Sequence, residues 1–164
     1  MFSVEIETLA ALVIDEARAR SMRVATAESC TGGLVAAALV GVPGSSDVFE
    51  RGFITYSNRA KQEMLDVPSD LLADLGAVSE PVVRMMAEGA LANSSSHLSI
   101  AVTGIAGPGG GSALKPVGLV HFATARANAS VRHRIEQFSH MDRDEVRLAA
   151  VQTALEMLRE RLSP

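Results

Sequence analysis

Ser29 lies in Ala27-Glu28-Ser29-Cys30-Thr31-Gly32-Gly33, where a β-prone run gives way to a helical one. A hydroxyl at such a strand-to-helix turn is well placed for nucleophilic attack, and amides at the following helix start favour developing negative charge. The same serine could instead serve only as a helix cap. Attack requires a base. The four histidines, His97, His121, His133 and His140, show no triad spacing, and the neighbouring Cys30 has no electropositive residue beside it to activate a thiolate. Of fifteen basic residues only Lys61 and Lys115 are lysines, and both fall in motif-like segments. A lysine shielded from water loses basicity and can take a proton from serine, whereas an ordinary lysine is a solvated point charge. Ser29 and Lys61 are therefore a candidate dyad, with Tyr56, the only tyrosine, five residues before the lysine. Tyr56 could orient Lys61 or simply end a strand.

Two further segments could bind ligand. Thr103-Gly104-Ile105-Ala106-Gly107-Pro108-Gly109-Gly110-Gly111 follows an apolar strand, but lacks the Gly-Lys-Ser/Thr ending of a P-loop and any Gly-x-Gly-x-x-Gly register. It reads equally as a connection. Arg143 and Arg147 stand one helical turn apart near the start of the last helix, where they could hold a phosphate or face solvent.

The elements that must carry these residues follow from periodicity. Ile6, Leu9, Val13 and Ala17 predict an amphipathic first helix. Met22 to Glu28 predicts a strand, Leu34 to Val40 a helix, Val48 to Ser57 a strand and Arg59 to Leu65 a helix. Ser69 is positioned to cap a short helix, and Pro81 to start a longer one. Leu98 to Val102 predicts a strand, and Val117 to Ala125 and Ser130 to Phe138 predict a hairpin. Asp142 and Glu145 have the spacing of a capping box for the last helix. Crossover helices plus a late hairpin imply an α/β fold, a three-layer α/β/α sandwich with a mixed β-sheet, over residues 1–164 as one domain.

Composition narrows function. A net charge of −4 opposes non-specific nucleic-acid binding. One cysteine admits no internal disulfide, and no Cys/His spacing suggests zinc. The acidic start and the lack of a charge-free spanning stretch predict neither secretion nor membrane insertion, and a cytoplasmic location fits. Apolar helices could support a homo-oligomer, for which a dimer is the simplest guess.

The four motifs around Ser29, Tyr56-Ser57-Asn58-Arg59-Ala60-Lys61, Gly76-Ala77-Val78-Ser79-Glu80 and the glycine loop, followed by Lys115-Pro116-Val117-Gly118, closely resemble the CinA C-terminal domain family over nearly the whole chain. That family includes nicotinamide-nucleotide amidases, and in its longer members an N-terminal domain precedes this one. The resemblance implies hydrolysis of the carboxamide of nicotinamide mononucleotide, with Ser29 as nucleophile, Lys61 as base and Tyr56 nearby. It further implies that Thr31, Gly32, Thr103 and Gly104 line the ligand site, that Arg143 contacts phosphate, and that no cofactor or metal is needed. Ser112-Ala113-Leu114 departs from the Thr-Pro-Glu common in the family before Lys-Pro-Val-Gly, leaving Lys115 without an implied role. The rival readings are a nucleotide-binding or regulatory module without turnover and, on the family's competence-related name alone, a DNA-associated protein.

Overall fold

A computed structural model describes residues 1–164. Its centre is β1 (Val24–Glu28), whose residues are all buried, so it reads as a continuous run rather than an alternation. It is flanked by β2 (Phe49–Ile54) and β3 (Leu98–Gly104), both parallel to it. β4 (Leu119–Arg126) and β5 (Arg132–Gln137) complete the sheet in antiparallel sense, in the order β2-β1-β3-β4-β5. The mixed sheet expected from the late hairpin is therefore present.

One face is covered by α1 (Val4–Ala19), α2 (Leu34–Val40) and α6 (Arg143–Leu162), the other by α3 (Asn58–Leu65), α4 (Ser69–Leu75) and α5 (Glu80–Ala92). The chain thus forms three α/β/α layers, with one apolar cluster on each side of the sheet. In α1 the buried stripe is Ile6, Ala10, Val13, Ile14 and Ala17, and Ser3 caps the helix by accepting from the Ile6 N–H. The capping box starting α6 is complete: Asp142 accepts from Glu145 N–H at 2.9 Å, and Glu145 accepts from Asp142 N–H at 2.8 Å.

Three details differ from the sequence pattern. Pro68, not Ser69, holds the N-cap position of α4, because proline fixes the extended geometry just before that helix. A 3₁₀ turn, Ser45–Asp47, separates α2 from β2. β2 stops at Ile54, and Tyr56 lies beyond it on an exposed connection.

The layer carrying Lys61 is fixed by close packing. A Cβ on Gly89 of α5 would come within 2.0 Å of the Leu65 carbonyl oxygen, so only glycine lets the end of α3 approach α5 this closely. Leu65 and Lys61 share the buried side of α3, one turn apart.

Candidate active site

Strand β1 delivers its last residue, Glu28, to the α2 side of the sheet and the next, Ser29, to the α3 side. Glu28 is buried at 1% exposure and caps α2: one carboxylate oxygen accepts from Gly33 and Val35 N–H at 3.2 and 2.9 Å, the other from Ala36 N–H at 3.1 Å. The start of α2 is therefore satisfied by Glu28 and is not free to face a ligand, contrary to what the strand-to-helix pattern suggests. Gly32 N–H is also used, donating to the Ser29 carbonyl at 3.1 Å in a turn that places Gly32 at φ +57°. Between them, the N–H groups of Cys30 and Thr31 donate to no other residue. Replacing Glu28 with alanine would strand one buried amide and two half-buried ones; the expected cost is about 2–4 kcal/mol, read as a lower midpoint in chemical denaturation.

Ser29 is held from both directions. Its N–H donates to the Val102 carbonyl at 3.0 Å, registering the turn on β3. Arg147 of α6 reaches back from the other face, its Nε donating to the Cys30 carbonyl at 3.0 Å and its Nη2 to the Thr31 carbonyl at 3.3 Å. Arg147 thus braces the backbone of the turn, a use of that arginine distinct from the phosphate contact suggested by its spacing from Arg143.

Lys61 meets Ser29 directly. Its Nζ lies 3.0 Å from Ser29 Oγ and 2.7 Å from the Thr55 carbonyl oxygen, and the residue is 1% exposed. No carboxylate pairs with the amine, and burial pushes its pKa from the usual 10.5 down to about 8, only weakly opposed by the nearby Cys30 thiol. In the protonated state the ammonium donates to both oxygens. In the neutral state one N–H still satisfies Thr55, which leaves the lone pair for the serine O–H. Thr55 is itself anchored by its N–H to the Glu28 carbonyl at 2.9 Å, so the carbonyl orienting the amine and the turn carrying the hydroxyl share one stretch of β1. This arrangement suits proton transfer from serine to lysine at mildly alkaline pH. Cys30 is unsuited to replace Ser29: burial raises its thiol to about 11.

The remaining residues divide into a buried shell and an open rim. Thr31 is fully enclosed, and Thr103 is 1% exposed with its hydroxyl donating to the Ala77 carbonyl at 3.1 Å. Gly104 ends β3 where a Cβ would press into Val120, so its missing side chain serves the approach of β4. At the rim, Arg143 Nη2 donates to the Tyr56 hydroxyl at 3.2 Å and Nη1 to the Gly107 carbonyl at 2.7 Å. Arg143 therefore joins Tyr56 to the glycine loop, and it also lines a cavity of about 410 Å³ with Ala106, Pro108 and Val117. Lys115 is drawn away, its Nζ donating to the Leu75 carbonyl. No three His, Cys, Asp or Glu residues gather in a metal-ligating group.

Glu28, Thr55 and Arg147 are the participants that sequence reasoning missed or misread. All three act through backbone atoms on one side of the contact, which residue types do not reveal. Glu28 did leave a signal, an acid at the end of an otherwise apolar and small-residue strand.

Comparison with known proteins agrees with this architecture. The family model described as the CinA C-terminal domain matches residues 6–162. A CinA-like protein from Synechococcus sp. (strain RCC307) is 48% identical over 161 residues, which cover 98% of this chain and 39% of the relative. The chain thus spans about two fifths of the length of such curated relatives. Among solved structures, the competence/damage inducible protein CihA from Agrobacterium tumefaciens superposes with a TM-score of 0.96 at 51% identity, covering 98% of this chain and 97% of its own. A CinA superfamily protein from Klebsiella pneumoniae gives 0.91 at 36% identity, covering 96% and 97%.

Proposed function

The chain belongs to the CinA C-terminal domain family, and we propose that it is an amidohydrolase that converts the carboxamide of nicotinamide mononucleotide to the carboxylate, releasing ammonia. The observation carrying this reading is the buried contact of 3.0 Å between Lys61 Nζ and Ser29 Oγ with no acid beside the lysine. A solvated or salt-bridged lysine would stay charged at neutral pH; this one is close to half neutral near pH 8.

In the proposed reaction, Ser29 Oγ attacks the carboxamide carbon while its proton passes to neutral Lys61. The unengaged N–H groups of Cys30 and Thr31 are the candidates to hold the resulting oxyanion. Protonated Lys61 returns the proton to the departing nitrogen, the C–N bond breaks and ammonia leaves. Water then attacks the acyl ester with Lys61 again taking a proton, and Ser29 Oγ leaves as the hydroxyl. The positive pyridinium ring makes the carbonyl a better electrophile than a simple benzamide. No step needs a redox or metal centre.

Arg143, already bridging Tyr56 and the glycine loop, is proposed to contact the substrate phosphate. Arg143→Ala is expected to raise KM about 10–100-fold with a smaller change in kcat, as for loss of a charge-assisted bond made equally in ground and transition states. Steady-state ammonia release over a range of nicotinamide mononucleotide concentrations checks it.

The direct test is incubation of the purified protein with nicotinamide mononucleotide, followed by mass spectrometry of the nucleotide and a coupled ammonia assay. A carboxylate product with stoichiometric ammonia supports the reading. Binding without either product would instead identify a nucleotide-binding module.

A further inference from the structure

At the end of the sheet opposite Ser29, three arginines converge, and the acid beside them, Glu160, is engaged by a fourth, Arg134. Arg126 ends β4, Arg132 begins β5 across the hairpin, and the last turn of α6 brings Arg161 against both. Arg126 Nη1 donates to the Arg161 carbonyl at 2.7 Å, tying strand to helix. The Arg161 side chain is a different matter. The residue is only 4% exposed, its guanidinium makes no hydrogen bond within the chain, and its Nη2 is wholly enclosed without a partner.

Nearby carboxylates do not compensate. Glu160 pairs with Arg134 at 2.6 Å, and Glu156 also faces Arg134, at 3.7 Å. None of Arg126, Arg132 and Arg161 forms a salt bridge. Burial, together with the like charges of Arg132 and Arg126, pulls the Arg161 guanidinium below its usual value. The three arginines, with Asn128, Ser130 and the Arg134-paired Glu160, line a cavity of about 490 Å³.

A buried guanidinium without partners is costly, and structures normally supply it with an acceptor. Here three positive charges gather around one cavity in a chain whose net charge is −4, so the cluster is not part of a generally basic surface. A single carboxylate would leave two of the charges unopposed. A phosphate group carries up to two charges at neutral pH and several acceptor oxygens, matching planar forks that approach from two strands and a helix.

We propose that the cavity between the β4–β5 hairpin and the end of α6 is a second anion site, taking the phosphate group of a small soluble phosphate through Arg126, Arg132 and Arg161. It is separated from Ser29 by the length of the strands and is independent of the amidase reading. Phosphate held there closes the hairpin onto α6 and stabilises the fold.

The test is titration of inorganic phosphate and, in parallel, adenosine monophosphate at constant ionic strength, read by calorimetry and by thermal unfolding. Wild-type protein is compared with Arg132→Ala, Arg161→Met and Arg143→Ala. Arg132 is exposed, so its replacement leaves the fold intact even if Arg161→Met proves hard to produce. Inorganic phosphate at a hundred times its Kd is expected to raise the unfolding midpoint of the wild type by about 8 °C. Arg132→Ala should weaken binding about tenfold, while Arg143→Ala leaves this binding event unchanged. Tighter binding of the mononucleotide than of inorganic phosphate, lost in the same variant, identifies a nucleotide as the source of the phosphate; the reverse order identifies free phosphate. Equal affinity in wild type and Arg132→Ala, or loss of binding only in Arg143→Ala, would overturn the proposal.

Discussion

Ser29→Ala is expected to abolish ammonia release from nicotinamide mononucleotide, by about 10⁴-fold or more, while leaving substrate affinity within a few fold. Loss of a serine nucleophile removes the covalent route, and only the residual effect of oxyanion donors and binding remains. The small loss in affinity follows from position: Ser29 is 8% exposed, and its backbone N–H and carbonyl, which organise the turn, are untouched by the change. Folding should lose no more than about 1–2 kcal/mol, because the hydroxyl's one partner, Lys61, keeps the Thr55 carbonyl as its remaining acceptor. Substrate affinity by calorimetry and turnover by coupled assay separate these effects. A variant retaining more than a tenth of the parental rate would remove Ser29 from the nucleophile's role and with it the acyl-enzyme scheme.

Lys61→Met should both eliminate turnover and make the protein more stable. The buried amine has its pKa lowered from 10.5 to about 8, so the folded state disfavours the charged form. Between pH 8 and 10.5 the unfolded chain binds a proton that the folded chain does not, and stability rises with pH across that window. Below pH 8 the lysine is charged in both states, and the full penalty of burying it is present. At one pKa unit per 1.36 kcal/mol this amounts to about 3 kcal/mol, reduced by the lost hydrogen bond to the Thr55 carbonyl. The net gain at pH 7 is about 2 kcal/mol, or roughly 5 °C in unfolding midpoint for a chain of this size. Methionine fills a similar volume without a charge, which is why it is chosen over alanine. The gain should shrink and change sign as pH approaches 10.5, where only the lost hydrogen bond remains, so the difference between wild-type and variant stability curves carries the signature of this one group. The same titration should appear in wild-type kinetics, with kcat/KM rising as pH passes about 8. A variant no more stable than the parent at pH 7 would show that Lys61 is already neutral there or lies in contact with water.

How far these features could be read from the chain depends on how local they are. The turn at Ser29 was visible because the period of apolar residues changes there and two glycines follow. Lys61 stands out through the scarcity of lysine, and the layer order follows from strands alternating with helices. Arg147, by contrast, braces the Cys30 carbonyl across 117 residues of sequence, and nothing in either segment announces the other. Its spacing from Arg143 suggested that both had the same task; the structure gives one to the rim and the other to the backbone of the turn. The arginines 126, 132 and 161 are likewise scattered singly, and they form a cluster only because a hairpin and the end of a helix meet.

The three hydrogen bonds from the start of α2 to Glu28 also bear on time. A segment that carries a candidate nucleophile is commonly among the parts of a protein that open most easily, yet here its neighbouring amides are sealed by an interior carboxylate. Deuterium should enter Val35 and Ala36 at a rate set by opening of the central sheet, not by breathing of a surface loop. Motion that admits a ligand is then confined to the opposite wall, where the exposed side chain of Tyr56 hangs from a single guanidinium.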